Sequence, residues 1–245
     1  MFTDVTLLNS ETGQYYVYKL SSTVHDQSEA ITKGIKETLE LYNVSVEKIE
    51  YFGHGTTVAT NMIIERKGAK TALITTKGFR DLLEIGRQVR PSLYNIFEDK
   101  PEKLVERSLC TEINERIIAN SKVHKHADKA EIIQLLEDLK AKEVESIAVC
   151  FLFSFLNPTH EQLVEECIKE IWPEVYYSCS SSILPEFREY ERLSTTVINS
   201  YLGPRMKLYI DNLQRRIKEV GVKVDPFITQ SNGGVMSINS TIQTP

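Results

Sequence analysis

The sequence predicts an α/β fold with a mixed but largely parallel sheet. Three observations support this prediction: strand-like and helix-like segments alternate along most of the chain, several strand-like segments are continuously apolar, and the first two strands read as a hairpin. Continuously apolar strands are typical of parallel sheets that are covered by helices on both faces. The opening hairpin adds an antiparallel pair, and we therefore expect the sheet to be mixed.

The first half of the chain predicts a hairpin followed by alternating elements. Thr3–Leu8 and Tyr15–Leu20 are rich in β-branched and aromatic residues and flank a polar turn that contains Gly13. The elements expected next are a helix with Asp26 and Glu29 as a capping box, a strand at 49–52, a helix over 56–67 ended by Gly68, a strand at 70–75 and a short helix from Phe79 to about Gly86.

The second half begins with a long irregular segment, residues 87–121, in which we expect one short strand at 115–118. The elements expected after it are a helix capped by Asp128, a strand at 146–153, a helix opened by Asn157 and Pro158, a strand at 174–178, a helical stretch over 185–220, a strand at 226–230 and a turn at 231–234. Gly203 and Pro204 should kink or split the long helix, because proline lacks the N–H donor.

Composition excludes several classes of protein. With 245 residues, 41% of them hydrophobic, the chain can bury a substantial core. Its net charge of -5 and its scattered Lys and Arg residues predict neither a nucleic acid nor a membrane as a partner. The 4 cysteines show no C-x-x-C spacing, which favours buried, reduced thiols and a cytoplasmic location.

The stretch Gly53–Thr57, sequence GHGTT, lies where a predicted strand ends and a predicted helix begins. Open α/β sheets bind ligands at such junctions, where glycines allow close approach and the first helical N–H groups favour an anion. Thr56 and Thr57 could cap the helix or donate to a phosphate. An ordinary strand-to-helix turn with a hydrogen-bonded His54 explains the same residues, because a glycine-rich turn is weak evidence in isolation.

Two further stretches have comparable alternatives. Ser231-Asn-Gly-Gly234 follows a predicted strand and predicts either an anion-binding concavity or a plain Asn-Gly turn. Asp4 lies inside the first strand, a position that disfavours aspartate, so a functional reason for it is expected.

The charged run 185–193 and the segment after Gly86 are weaker evidence for a functional site. The run carries acids and arginines at spacings typical of a solvated helix face. Arg87 could clamp a carboxylate or lie in an exposed loop. The motifs G-x-x-x-x-G-K-[ST], G-x-S-x-G and H-E-x-x-H are absent, which argues against the enzyme classes that they mark.

Taken together, several stretches resemble the N-terminal part of the hydantoinase/oxoprolinase family, which also includes acetone and acetophenone carboxylase components. They follow the family's order across nearly the whole chain: Phe2–Asp4, His54–Asn61, Thr75–Gln88, Ser154–Pro158, Leu184–Arg192 with Ser194–Thr196, and Gln230–Gly234. The resemblance implies a ribonuclease H-like sheet, related to the actin, sugar kinase and Hsp70 group, with ATP bound between two lobes. It also implies ATP-dependent phosphorylation of a cyclic amide oxygen, so that water can open the ring, with Mg²⁺ at the phosphates.

The resemblance assigns expected roles to individual residues. Thr3 and Asp4 match the tail of the family's phosphate loop, D-x-G-G-T-x-T-D, with Asp4 as the expected ligand of Mg²⁺ or of its water shell. The expected roles of the other residues are as follows: His54, Thr56 and Thr57 catalytic, Gly55, Ser231, Asn232, Gly233 and Gly234 in ATP binding, and Asn61, Arg87, Glu186, Arg188 and Tyr190 in substrate orientation.

The resemblance also implies how the chain is organised. We expect an N-terminal domain over 1–183, and over 184–245 a long helical segment that leads into an incomplete second lobe. The D-x-G-G-T half of the phosphate loop is absent, so the chain by itself should not complete an ATP site. A misplaced start, a trimmed chain and a decayed gene are each compatible with this expectation.

Three functions are compatible with the sequence. The first is a segment of an ATP-dependent cyclic amide hydrolase or of a related carboxylase subunit, which acts on a small cyclic amide with a second hydantoinase B-like subunit. The second is a non-catalytic remnant that retains a partner surface. The third is an unrelated α/β nucleotide-binding regulator.

Overall fold

A computed structural model describes residues 2–23 and 26–244, which form two compact units. The first unit combines the segment that ends at Val58 with Arg205–Gln243. The second unit contains Ala59–Pro204. The predicted boundary between residues 183 and 184 concerns domains of the family and stays a prediction.

The strands and helices are numbered along the chain. The strands are β1 (Phe2–Leu8), β2 (Tyr15–Ser21), β3 (Gly53–His54), β4 (Thr71–Thr76), β5 (Cys110–Ile113), β6 (Arg116–Ile117), β7 (Val123–Lys125), β8 (Ser146–Cys150), β9 (Tyr176–Cys179), β10 (Phe227–Thr229) and β11 (Val235–Ser237). The helices are α1 (Gln27–Leu41), α2 (Val58–Ile64), α3 (Leu82–Ile85), α4 (Lys129–Ala141), α5 (Thr159–Ile171), α6 (Ser180–Ile183), α7 (Glu189–Val220) and α8 (Ile238–Gln243). The predicted α/β class with flanking helices is confirmed.

The predicted hairpin of the first unit is confirmed, since β1 and β2 pair in antiparallel register along their whole length. They form a sheet of their own. Asp26 caps α1 as predicted by accepting the Ser28 N–H at 3.0 Å. The Glu29 carboxylate, the other member of the predicted capping box, binds Arg216 at 2.8 Å.

The strand predicted at 49–52 is wrong in position, because the observed strand begins after it, at Gly53. A short 3₁₀ turn covers Val46–Lys48, and the strand β3 is only Gly53–His54. Its partner β10 begins at Phe227, whose N–H donates to the Phe52 carbonyl, so only two residues of β3 pair with it. The pairing is parallel, whereas β10 and β11 are antiparallel, and this three-stranded sheet is therefore mixed.

The second unit is built on a four-stranded sheet of order β5-β4-β8-β9, in which every pairing is parallel. All residues of β4 and β8 are buried, as the continuously apolar pattern predicts. The buried faces of α4 and α5 contribute to the same core. The strand β5 was not predicted, because its short sequence Cys110-Thr-Glu-Ile113 lies inside the irregular segment.

The segment between α3 and β5 is irregular, as predicted, and leaves several large apolar side chains exposed. They are Val89, Leu93, Tyr94, Ile96 and Phe97. The predicted short strand near 115–118 is confirmed as β6, which pairs with β7.

Two predicted helices have different limits in the structure. The helix α2 stops at Ile64, three residues before the predicted end, and Arg66 then adopts a left-handed φ of 56°. The stretch 185–220 contains α7, which is continuous from Glu189 and carries Pro204 inside it. Of the two predicted effects of Pro204, the split is wrong, and the kink stays a prediction.

Cysteine chemistry follows the prediction, since all four cysteines are free and buried. Burial raises the pKa of Cys110 and of Cys150 to about 11. Within residues 2–23 and 26–244, no helix combines the length and apolar character that crossing a membrane requires.

A substitution at Gly203 tests the packing of α7. Replacing a helical glycine by alanine ordinarily stabilises a protein by about 1 kcal/mol. Here the new Cβ would lie 2.1 Å from the Tyr176 ring, so we expect Gly203→Ala to destabilise the protein by about 1–3 kcal/mol. Urea unfolding would measure this change, with the exposed Lys207→Ala on the same helix as a near-neutral control. A stabilised Gly203→Ala would contradict the ring contact.

Candidate functional site

The parallel pairing of β3 with β10 brings two predicted motifs together. Phe227 pairs with Gly53, and Ile228 pairs with His54. Because the carboxyl ends of parallel strands meet at one edge of a sheet, residues 54–57 and the turn 230–234 lie at the same edge. We call these two segments the β3/β10 edge. A Cβ added to Gly55 would come no closer than 3.9 Å to its nearest neighbour, Thr229, so the backbone is accessible there.

His54 is held at this edge by a tyrosine of α7. Its Nε2 lies 2.6 Å from the Tyr209 hydroxyl, and Thr56 also forms a hydrogen bond with Tyr209. Thr56 Oγ1 in turn accepts the Val58 N–H at 3.2 Å, the capping role expected of it. Burial lowers the pKa of His54 to about 4 and raises the pKa of Tyr209 to about 12, so both groups are neutral near pH 7.

The turn 231–234 connects β10 to β11 and is stabilised from within. The Gly233 N–H donates to the Gln230 carbonyl at 3.0 Å, and the Gly234 N–H donates to Asn232 Oδ1 at 2.8 Å. Gly233 has a φ of 86°, the left-handed conformation that favours glycine. The two glycine amides predicted to bind an anion are thus already used, and an anion here would need donors from other groups.

Thr3 and Asp4 lie in β1, within the same compact unit as the β3/β10 edge. Thr3 Oγ1 lies 2.8 Å from the Ser22 hydroxyl, and the exposed Asp4 carboxylate pairs with Lys19 at 3.3 Å. Among the described residues, no three His, Cys, Asp or Glu side chains are grouped as metal ligands. Mg²⁺ is often held by one or two carboxylates and by substrate phosphates, and an exposed Asp4 in a weak surface ion pair fits that chemistry.

The residues expected to orient a substrate belong to the second unit. Arg87 does not present a free clamp, because its guanidinium contacts Glu191 Oε1 at 2.6 and 2.5 Å. The Tyr190 ring faces Gly86, next to this ion pair. Arg188 is exposed beside the Phe187 ring, Glu186 is exposed, and Asn61 lies in α2. The structure therefore brings Arg87 close to the residues at the start of α7.

Sequence reasoning missed a buried polar cluster at the carboxyl edge of the four-stranded sheet. Glu161 is fully buried, and its carboxylate accepts the Phe151 N–H, the Ser181 N–H and the Ser180 hydroxyl. Arg192 is 1% exposed and donates to Ser180 Oγ and to the Phe151 and Glu186 carbonyls. The charged run 185–193 is thus only partly a solvated face.

A second buried pair lies in the same cluster. His160 Nδ1 is 2.6 Å from Glu115 Oε2, and Thr76 donates to the other oxygen of Glu115. Glu115 comes two residues after β5, and His160 and Glu161 lie in the first turn of α5, which is the helix that follows β8. These positions near the carboxyl ends of strands are the signal by which the sequence could have identified them. Since these groups are buried and mostly satisfied by one another, they stabilise the sheet edge rather than form an open site.

Comparisons with known proteins were consistent along the whole chain. Residues 1–172 match the family model described as the hydantoinase/oxoprolinase N-terminal region, and residues 192–245 match the model described as hydantoinase/oxoprolinase. The chain is 32% identical to the caprolactamase subunit alpha of Pseudomonas jessenii, with 96% of this chain and 34% of the relative covered. It is 34% identical to a 5-oxoprolinase of Dictyostelium discoideum, with 98% of this chain and 21% of the relative covered.

Two solved structures share the fold. The ATP-dependent caprolactamase of Pseudomonas jessenii superposes with a TM-score of 0.88 at 32% identity, over 96% of this chain and 35% of the other. A nucleotide-free acetone carboxylase superposes with a TM-score of 0.85 at 22% identity, over 99% of this chain and 37% of the other, a likeness of fold alone. The chain thus spans about a third or less of the length of these relatives.

The low pKa of His54 predicts a pH dependence of stability. The unfolded chain binds a proton at this residue below about pH 6.5, whereas the folded protein does so only near pH 4. The free energy of unfolding should therefore fall as the pH drops through this window, by about 1–2 kcal/mol between about pH 7.5 and pH 5. Urea unfolding of wild type and His54→Gln would test this, because the variant should lack that part of the fall. An equal loss in both proteins would contradict the assignment.

The role of Glu161 can be tested in the same way. Glu161→Gln replaces an acceptor by an N–H₂ group that faces donors, and we expect a loss of about 3 kcal/mol in the free energy of unfolding. The matched control is Glu166→Gln, at an exposed position of the same helix, which should change stability by less than about 0.5 kcal/mol. Similar effects of the two substitutions would rule out a structural role for the buried carboxylate.

Proposed function

Since this chain belongs to the hydantoinase/oxoprolinase family, we propose that it serves as the N-terminal segment of an ATP-dependent enzyme that opens a cyclic amide. The observation that carries the proposal is the meeting of residues 54–57 and the turn 230–234 at the β3/β10 edge. Both motifs follow the carboxyl end of a strand, the position at which α/β sheets bind nucleotides. The caprolactamase of Pseudomonas jessenii, a relative of this chain, is described as ATP-dependent.

The proposed architecture is that of the actin, sugar kinase and Hsp70 group. In this proposal residues 1–183 form a ribonuclease H-like domain, and residues 184–245 lead into the second lobe of a nucleotide-binding protein. The parallel sheet with flanking helices and the boundaries of the two family matches support it.

The proposed reaction overcomes the low reactivity of an amide carbonyl. ATP would transfer its γ-phosphoryl group to the carbonyl oxygen and leave as ADP, which makes the carbonyl carbon more electrophilic. Water would add to that carbon, and the C–N bond would break with transfer of a proton to nitrogen. Hydrolysis of the resulting acyl phosphate would give the carboxylate and phosphate.

His54 and Thr57 would donate hydrogen bonds to phosphate oxygens, and Gly55 would allow close approach. Thr56 would act indirectly, since its hydroxyl is hydrogen-bonded to Tyr209, which contacts His54. Asp4 would bind Mg²⁺ or its water shell after release from Lys19, and the bound ion would neutralise phosphate charge.

Substrate orientation is proposed for residues of the second unit. Arg87 and Tyr190 are the better supported, because the Arg87–Glu191 ion pair and the contact of Tyr190 with Gly86 place the two residues close together. Arg87 would release Glu191 to bind a substrate. Asn61, Glu186 and Arg188 are proposed only from the family resemblance. We also propose a second, hydantoinase B-like subunit as partner, since one relative is itself named as a subunit, and a cytoplasmic location.

Two alternative functions differ from the proposed one in the reaction that they predict. A non-catalytic module would keep the fold and a partner surface without turnover. A carboxylase subunit of the same family would use ATP on a carbonyl compound without opening a ring.

A chimera tests the proposed function directly. In the chimera, this chain would replace the matching third of the Pseudomonas jessenii caprolactamase alpha subunit. The chimera would then be assayed together with the partner subunit of that caprolactamase. We expect Mg-ATP hydrolysis that depends on a cyclic amide, measured with caprolactam, 5-oxoproline and hydantoin. His54→Ala or Thr56→Val should lower the rate by about 10-fold to 100-fold, because the first removes a donor near the phosphates and the second removes the hydroxyl that orients Tyr209 toward His54.

The control for this assay is Lys142→Ala, an exposed position outside the proposed site, which should leave the rate unchanged. A folded chimera that binds Mg-ATP but hydrolyses none would favour the non-catalytic alternative. ATP hydrolysis that depends on a ketone and bicarbonate would favour the carboxylase alternative.

A further inference from the structure

Tyr209 is buried in α7, 6% exposed, and sequence reasoning gave it no role. Its hydroxyl contacts two residues of the β3/β10 edge at once, His54 through Nε2 and Thr56 through its side chain. A buried tyrosine hydroxyl normally needs a partner, and this one has found both in the proposed phosphate-binding segment.

The directions of these hydrogen bonds follow from the chemistry of the groups. The Val58 N–H can only donate, so Thr56 Oγ1 accepts it and has its own hydrogen free for Tyr209. A phenol is a stronger acid than an alcohol, and a neutral imidazole nitrogen is a stronger base than either oxygen. The short contact of 2.6 Å is therefore best made by the Tyr209 O–H donating to His54 Nε2.

This direction determines the tautomer of His54. If Nε2 accepts a hydrogen bond, the proton of the neutral ring must be on Nδ1. No hydrogen bond to Nδ1 is found within the described part of the chain, so the Nδ1–H remains a donor for a ligand.

We propose that Tyr209 is a positioning residue, which holds His54 as the Nδ1–H tautomer so that its ring offers a hydrogen-bond donor to a phosphate oxygen at the β3/β10 edge. The role of the ligand in this proposal rests on the proposed function. The tautomer of His54 does not rest on the proposed function, because it follows from hydrogen bonds among protein residues alone. These bonds run from the Val58 N–H through Thr56 and Tyr209 to His54.

The chain of donors explains why the threonine at position 56 and the tyrosine at 209 act together. Without the Thr56 hydroxyl, the Tyr209 oxygen no longer accepts the hydrogen bond that orients its own O–H toward His54. Without the Tyr209 hydroxyl, Nε2 loses its proton donor, and the ring is free to adopt the Nε2–H form that predominates in unrestrained histidine. The ring would then direct a lone pair, not a proton, at an anion.

The test is histidine side-chain nitrogen NMR of the ¹⁵N-labelled chain at about pH 7.5. Protonated and bare ring nitrogens have well-separated shifts, and the signals of His54 are identified by their loss in His54→Gln. We expect a protonated Nδ1 and a bare Nε2 in the wild type, and at least half of the molecules in the Nε2–H form in Tyr209→Phe. Thr56→Ser should keep the wild-type pattern, and Thr56→Val should lose part of it.

The matched control is Tyr201→Phe, a tyrosine of the same helix with the same 6% exposure, which should not change the His54 signals. Thermal unfolding would check that each variant is folded, and Thr56→Val provides an independent readout if Tyr209→Phe is not. A wild-type protein with a protonated Nε2, or a Tyr209→Phe protein with the wild-type pattern, would overturn the proposal.

A second arm of the experiment separates this proposal from the proposed function. Mg-ATP added to the chimera with the Pseudomonas jessenii caprolactamase should move the Nδ1 signal of His54, and should move it at least several-fold less when the chimera carries Tyr209→Phe. An Nδ1–H tautomer that does not respond to Mg-ATP would support the positioning role of Tyr209 and would overturn the phosphate ligand.

Discussion

The proposed site depends on a parallel ladder of two residue pairs, Gly53 with Phe227 and His54 with Ile228. This ladder joins segments that are about 170 residues apart in sequence, and loop closure over such a distance must be offset by packing elsewhere. The packing comes from the same unit: Ile228 is buried, and Arg216 of α7 binds both Asp26 and Glu29 at the start of α1. The ladder is short, and contacts elsewhere in the unit help to hold its two segments together.

The two polar assemblies of the protein illustrate different uses of buried hydrogen bonds. At the carboxyl edge of the four-stranded sheet, Glu161 and Arg192 are enclosed and use their hydrogen-bonding groups on backbone and serine partners. At the β3/β10 edge, by contrast, the chain of donors ends on a half-buried histidine whose second nitrogen has no partner in the described chain. A closed network favours stability, whereas a network with one open end favours ligand binding.

Much of the fold could be predicted, because helix-capping residues and apolar runs in the sequence agree with the helices and buried strands that form. Asp26 and Asp128 cap helices as expected, and the apolar runs in β4 and β8 are buried strands. The failures have identifiable positions: β10 begins at Phe227, whose N–H reaches only the Phe52 carbonyl and leaves residues 49–51 without a ladder partner, and Pro204 lies within the continuous helix α7. Of the site, the sequence indicates His54 and Thr56, but Tyr209 could not be found, because its contact is made about 150 residues away.

The four buried thiols have a practical consequence for labelling. With a pKa of about 11, fewer than about one molecule in a thousand carries a thiolate at Cys110 or Cys150 near neutral pH. Thiolates are the reactive species toward maleimides, so the native cysteines should give little background in brief labelling reactions. A single cysteine introduced on an exposed loop can then carry a fluorophore or spin label in an otherwise unmodified chain.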